Sequence, residues 1–181
     1  VIQTPDNLHV ARKSEVRNQN LSSLQNFEAV GKIGFSDGTQ GGNASIIWKQ
    51  DRDNYQIRLY GPLGTGAVQI KGQGGHISLT RHDGKIITAN TPEALVESEL
   101  GWVIPVSGLR YWLKGLPAPG TAPTETLFDV SHGRLWQIKQ HGWTIQYQAY
   151  KSLDGVDVPY KLLLQNGDIR LKFIFDRWKL N

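Results

Sequence analysis

In 181 residues there is no cysteine and no methionine. The first absence excludes disulfides, thiolate chemistry and cysteine-ligated zinc. The second extends to position 1, so a processed or trimmed chain is expected. No apolar run approaches the ~18 residues of a membrane-spanning helix, and no signal peptide is visible. A soluble chain is expected on those grounds. Blocks of like charge are missing as well, the densest basic stretch being Arg12-Lys13 with Arg17 close by. That argues against a nucleic-acid-binding tail.

Catalytic signatures are also lacking. There is no G-x-S-x-G elbow. Gly64-Thr65-Gly66 is not followed by a helix carrying a basic residue, so it is not a phosphate loop. His9, His76, His82, His132 and His141 do not pair with one another or with acids at metal-binding helical spacing. His82, His132 and His141 sit in glycine-containing turns. The acids are scattered, and no nucleophile, base and orienting group assemble. Neither catalysis, a metal nor a cofactor is expected.

What is present is a β pattern. Residues 6–23 read as a helix, with Asp6 or Asn7 as its cap and a loose apolar stripe of Leu8, Ala11, Val16, Leu21 and Leu24. From Phe27 the period drops to two. Phe27, Ala29, Gly31, Ile33 and Phe35 share one face, and Ala44, Ile46 and Trp48 another, followed by Tyr55, Ile57 and Leu59. Short strands follow at residues 67–71, 77–80 and 85–89. Asp37-Gly38, Gly74-Gly75, Asp83-Gly84, His141-Gly142, Asp154-Gly155 and Asn166-Gly167 supply turns suited to antiparallel hairpins. Strands resume at 127–130 and 135–139, then over Trp143–Ala149, Val158–Leu164 and Ile169–Phe175. About eleven strands in consecutive hairpins point to a sandwich or barrel. Aromatics share strand faces with Ile, Leu and Val rather than alternating with Lys and Arg, so nucleic acid is not the expected partner.

Residues 91–117 interrupt the strands. Thr91-Pro92-Glu93 is a helix start and Gly101 a stop. Ser107 opens a second short helix, ended by Gly115 and Pro117. The segment holds Trp102, Val103, Ile104, Trp112 and Leu116 with few charges. It reads either as a lid across a barrel mouth or as a plug completing a solid core.

One turn stands apart. In Gly61-Pro62-Leu63-Gly64-Thr65-Gly66, proline and glycine meet the needs of a turn, but nothing in turn chemistry asks for Leu63. The side chain either packs back on its hairpin or touches an apolar partner. A curved antiparallel sheet with an aromatic and aliphatic inner face fits a binder of apolar ligands.

Three segments in this order and spacing resemble the LolB family of outer-membrane lipoprotein receptors, which shares its fold with the periplasmic carrier LolA. Gly61-Pro62-Leu63-Gly64 resembles the family's protruding loop. Ile104-Pro105-Val106-Ser107-Gly108-Leu109-Arg110-Tyr111-Trp112-Leu113-Lys114-Gly115-Leu116-Pro117 resembles its lid segment. Ile169–Leu180, with Arg170, Leu171, Lys172 and Trp178, resembles its closing strand. The resemblance runs from about Leu21 to the end. It implies an unclosed antiparallel β-barrel of about eleven strands with an N-terminal helix and a helical lid, as one lipoprotein-binding domain over residues 1–181.

It further implies that acyl chains of lipoproteins pass from a LolA-like carrier into an apolar cavity and on to the inner leaflet of the outer membrane, without energy input. The protein is then a monomer at the periplasmic face of a Gram-negative outer membrane, lipid-anchored in its full-length form through a cysteine that this chain lacks. Gly61, Pro62, Leu63 and Gly64 are the expected membrane-delivery loop. Trp48, Ile57, Leu59, Trp102, Ile104, Trp112, Trp136, Tyr147, Leu162 and Phe173 are candidates for the cavity wall, with ordinary core as the alternative for each. The net charge of +4 suits an acidic rim on the carrier. A lipocalin-like carrier of a small hydrophobic ligand, or a structural protein with a filled core, stands as the alternative function.

Overall fold

The computed structural model describes residues 5–22, 24–61 and 66–181, with backbone only for residues 5–10 and 22. Helix α1 (Pro5–Ser22) leads into six strands: β1 (Asn26–Ser36), β2 (Gly41–Asp51), β3 (Asn54–Tyr60), β4 (Val68–Gln73), β5 (His76–Arg81) and β6 (Ile86–Thr88). Helices α2 (Pro92–Leu100) and α3 (Val106–Trp112) follow. Five more strands close the chain: β7 (Glu125–Phe128), β8 (Leu135–Gln140), β9 (Trp143–Leu153), β10 (Val156–Asn166) and β11 (Ile169–Leu180).

All eleven strands form one antiparallel sheet in the order β6-β5-β4-β3-β2-β1-β11-β10-β9-β8-β7. The first and last strands pair in the middle, Ile33 opposite Phe173, and β6 and β7 are left as the two edges. The barrel is therefore open between them. Three predicted hairpins have the expected chemistry, Gly74-Gly75 at φ 57° and 82° being one. His141-Gly142 and Asp154-Gly155 both place two successive residues at positive φ, the geometry whose twist matches antiparallel strands. At Gly31 the register of β1 and β11 slips by one residue. A side chain there would collide with the carbonyl of Ile174, so the bulge and the glycine require each other.

Alternation sends one side chain in two to the concave face, and these join in a single apolar cluster. It contains Phe27, Trp48, Ile57, Ile70, Leu79, Ile138, Ile145, Leu164 and Phe175, with Leu95, Leu109 and Trp112 from the helices. The cluster spans strands from β5 to β8, near both edges, so the sheet curls around it.

Helix α1 begins at Pro5, ahead of the Asp6 or Asn7 expected as its cap, and proline is at home in a first helical turn. Its inner face is not the predicted aliphatic stripe. Ala11 is exposed and Val16 is 56 % exposed, while Ser14 and Leu21 are buried. Arg17 supplies the reason. Its guanidinium donates to the carbonyls of Gly115 (3.1 Å) and Asp157 (3.1 Å). It also lies over the Tyr150 ring at 5.2 Å, with Arg134 at 4.7 Å from the same ring. A polar anchor, not an apolar stripe, seats this helix. Burial lowers the Arg17 pKa from its usual value.

Two other expectations shift. The strand expected at 127–130 is Glu125–Phe128, and Val130 is 71 % exposed. The second inserted helix starts at Val106 behind Pro105, with no side-chain cap, rather than at Ser107.

Candidate functional site

The inserted segment crosses the concave face as a roof. Thr91 caps α2 by accepting from the Ala94 amide at 3.2 Å, and Gly101 ends it at φ 70°, both as the sequence required. Glu93 then straps the two helices together, its carboxylate accepting from the Ser107 amide at 2.7 Å. Arg81 of β5 holds Glu99 of α2 through two contacts of 2.6 and 2.9 Å.

Helix α3 is tied down at several points around the face. Arg110 donates to the Arg52 carbonyl (3.1 Å) and to Asp53 (2.9 Å) at the β2–β3 turn. Just past the helix, the Lys114 ammonium reaches the Leu24 carbonyl at 3.2 Å. Burial, then the nearby Arg110 charge, lowers the Lys114 pKa.

The deepest anchor is Trp112. Its indole folds over Gly108, where any Cβ would strike the ring. The indole Nε1 donates to Gln140 Oε1 at 2.8 Å. Its backbone carbonyl accepts from the Tyr147 hydroxyl at 2.7 Å. Burial raises the Tyr147 pKa well above the ordinary phenol value, so the hydroxyl stays a donor throughout the neutral range. Gln140 also accepts from the Ala118 amide and donates to the carbonyls of Ala118 and Thr121, each at 2.8 Å. One buried amide on β8 therefore fixes both the helix and the loop that follows it.

Eight of the ten predicted wall residues meet under this roof. Trp48, Ile57, Leu59, Ile104, Trp112, Tyr147, Leu162 and Phe173 are each no more than 4 % exposed. Trp102 is half-buried at the rim. It stacks on Phe35 at 5.2 Å and 13°, against Gly42, where a Cβ would lie 3.0 Å from the ring. Trp136 departs from the set. It is 53 % exposed, on the opposite side of β8 from Leu135 and Ile138. It shares the even parity of Ile138 and Gln140, but the register of β7 and β8 slips at this residue, Leu127 facing Gln137 and Phe128 facing Leu135, and the bulge turns it out.

The roof is packed directly onto the strands. Leu109 and Leu113 are fully buried, and α3 fills the concave face. Grooves on the described surface include five of 440 to 660 Å³, none of these lined by a predicted wall residue. Of the predicted delivery loop, Gly61 follows β3 directly, while Pro62, Leu63 and Gly64 lie outside the described residues.

Two buried glutamines escaped the sequence reading. Gln140 shares the inward parity of Ile138, and Gln50 that of Trp48, whose indole donates to it at 2.9 Å. Parity alone could have placed both inside. The histidines with described side chains are peripheral: His132 Nδ1 lies 3.5 Å from Asp129 and is exposed, and exposed His141 tilts against Trp112 at 6.4 Å.

The class defined by this geometry is an open, curled antiparallel sheet with an inserted helical roof. Two solved structures are similar in fold across nearly the whole chain. A LolA superfamily protein from Nitrosomonas europaea matches with a TM-score of 0.57 at 8 % identity, covering 93 % of each chain. A putative outer membrane lipoprotein-sorting protein domain from Vibrio parahaemolyticus matches at 0.53 and 11 %, covering 96 % and 92 %.

Sequence comparison is more specific. The family model for outer membrane lipoprotein LolB matches residues 25–178. The outer-membrane lipoprotein LolB of Pseudomonas fluorescens (strain Pf0-1) is 38 % identical over 89 % of this chain and 78 % of its own length. That of Chromohalobacter salexigens is 34 % identical over 98 % and 81 %. The chain belongs to the LolB family.

Proposed function

We propose that this chain receives the acyl chains of lipoproteins from a LolA-like periplasmic carrier and passes them to the outer membrane. The observation that carries this reading is the continuous apolar face of one open sheet, covered by a short helical strap instead of by further strands. Family membership supports the same role, together with a place at the periplasmic side of the outer membrane. The protein acts as a monomer and as a single unit over its 181 residues.

The physical need is clear. Each methylene exposed to water costs about 0.8 kcal/mol, so a lipid with several long tails cannot diffuse freely across an aqueous compartment. An apolar protein face replaces water at little net change. Transfer between two such faces, or from a face to a bilayer, then requires only a difference in affinity, and no nucleotide. In this reading α3 occupies the place of the acyl chains when none are bound. Loading swings it outward, and Leu109, Trp112 and Leu113 exchange their contacts with the sheet for contacts with lipid. Trp48, Ile57, Leu59, Ile104, Leu162 and Phe173 form the wall, and Leu63 enters the bilayer at delivery.

The test is acceptance of a purified, acylated lipoprotein from its loaded carrier, followed by release to vesicles. Transfer without added nucleotide is expected, and failure to accept the lipoprotein overturns the reading. A fluorescent fatty acid separates the small-ligand alternative. Tight binding of that probe, with no acceptance of lipoprotein, would favour a lipocalin-like carrier.

A further inference from the structure

The convex side of the sheet has a different chemistry from the concave side. Strand pairing aligns its outward residues in lateral rungs. One rung runs Tyr60, Ser45, Lys32, Ile174, Lys161 across β3, β2, β1, β11 and β10. The next holds Asn43, Gly34, Lys172 and Leu163. The one beyond it carries Arg170 beside Ser36. On the other side, Arg58, Ile47, Val30 and Arg177 are aligned. Six cations therefore share four adjacent rungs of the central strands, where the one acid is Asp176 at the β11 bulge.

None of the six forms an ion pair among the described residues, although eight ion pairs occur elsewhere. Gly34 leaves a gap between Lys32 and Lys172. There a groove of 550 Å³ is lined by those two lysines, Asn43, Ser45, Ala44 and Ile174, with no carboxylate.

The position of this face matters as much as its charge. Tyr60 stands on the same rung as Lys32, and the Leu63 segment leaves the sheet directly after Tyr60–Gly61. Arg58 lies over the Tyr60 ring at 5.7 Å. An aromatic ring, half-exposed aliphatic side chains and unpaired lysines at the foot of an apolar loop make up the residue set that sits at headgroup level in an interface.

We propose that this convex face, centred on Lys32 and Lys172, docks on the surface of a phospholipid bilayer by binding the phosphates of anionic head groups. It thereby holds the base of the Leu63 loop against the membrane. The inference rests on the delivery reading above for the choice of partner. The charge distribution favours a bilayer, which meets all four rungs at once.

The experiment is co-sedimentation with vesicles of phosphatidylcholine, with and without phosphatidylglycerol, at low and high salt. The wild-type chain is expected to prefer the anionic vesicles and to lose that preference as salt rises. Lys32→Gln with Lys172→Gln should lower partitioning to anionic vesicles about tenfold. Lys85→Gln, a cation off this face, should leave it near wild type. Circular dichroism checks that each variant is folded, and Arg58→Gln with Lys161→Gln provides a second pair.

Wild-type partitioning by both charge-removed pairs overturns the inference, as does an equal loss in Lys85→Gln. Salt-sensitive binding to an acidic carrier with no preference for anionic vesicles also overturns it. Leu63→Glu separates this result from the delivery reading. Normal release of lipoprotein by that variant defeats the loop's role, while loss of vesicle binding in the lysine variants upholds the docking face.

Discussion

The hydroxyl of Tyr147, on β9, donates a 2.7 Å hydrogen bond to the backbone carbonyl of Trp112, the last residue of α3. This bond is one of several contacts that tie the roof to the wall it covers. Tyr147→Phe keeps the ring packed and leaves the carbonyl with the Gly115 amide, at 2.9 Å, as its remaining donor. The cost is expected at about 0.5–1.5 kcal/mol, the net worth of one hydrogen bond. If α3 is a movable cover, hydrogen exchange over residues 106–113 should rise well ahead of exchange in the central strands. A uniform rise across the sheet would show instead that roof and sheet open together.

Gln140 bears on the same cover from the other side. Gln140→Ala removes the partner of the Trp112 indole and three hydrogen bonds to the loop at Ala118 and Thr121. A loss of about 2–4 kcal/mol is expected in denaturant unfolding. Gln140→Glu is a sharper probe. It keeps the acceptor for the indole but turns a carboxylate oxygen toward the Ala118 and Thr121 carbonyls, so it should cost at least as much as the alanine variant near neutral pH and less at acid pH, where the protonated carboxyl can donate.

Alkaline pH should loosen the structure through its tyrosines. Burial pushes the Tyr55 pKa up to about 12 from an ordinary value of 10, with Glu93 adding to the rise, and burial raises Tyr147 well above that same ordinary value. A raised folded-state pKa gives stability that is complete below the unfolded value. It is lost as pH climbs from about 10 through the folded value. Unfolding free energy should therefore decline above pH 10, with a shallower slope in Tyr55→Phe. At the acid end, backbone amides of Gln40 and then Thr39 hold Asp37 down to about 2 from 3.8. That contribution is present above 3.8 and disappears as pH falls through about 2.

Trp136 and Phe173 make a controlled pair. Both were expected in the wall, yet Trp136 is 53 % exposed and Phe173 fully buried. Trp136→Ser should change stability by no more than about 0.5 kcal/mol and leave acyl-probe binding unaltered. Phe173→Ala should cost about 3–5 kcal/mol. Equal effects in thermal unfolding would contradict the inside–outside assignment.

Leu63→Glu is expected to keep the wild-type melting temperature and acceptance of lipoprotein from the carrier. Release to vesicles should fall by about tenfold or more, because a carboxylate resists entering the apolar layer. Release measured by flotation of the vesicles decides it, and undiminished release would remove Leu63 from the mechanism.

Much of this architecture is legible in the residue pattern because an antiparallel strand with one wet face reports its own orientation. Ile33, Trp48, Ile57 and Phe173 were placed inside by alternation, and the glycine turns fixed which strands are neighbours. The failures have two sources, a break in alternation and a misjudged polarity. Trp136 shares the parity of buried Ile138, and only the bulge between β7 and β8, which no sequence period announces, turns it outside. Gln50 and Gln140 were passed over for their polarity although their parity put them inside. Of the inner face of α1 only Leu21 was read. Arg17 finds the Gly115 and Asp157 carbonyls across 98 and 140 residues of sequence, and no local period announces a contact of that range. Whether the inserted segment roofs a space or fills it was equally beyond a one-dimensional pattern, since both arrangements call for the same apolar residues.

The chain crosses from β6 to β7 through residues 89–124, and it is this stretch that carries α2 and α3. The seam where the wall fails to join is bridged by the strap that bears the cover. Parting the two edge strands must drag on both ends of that strap, and raising the strap must in turn relax the seam. Width at the side and height at the top are a single mechanical variable, so a bulky lipid pressing on either one acts on both.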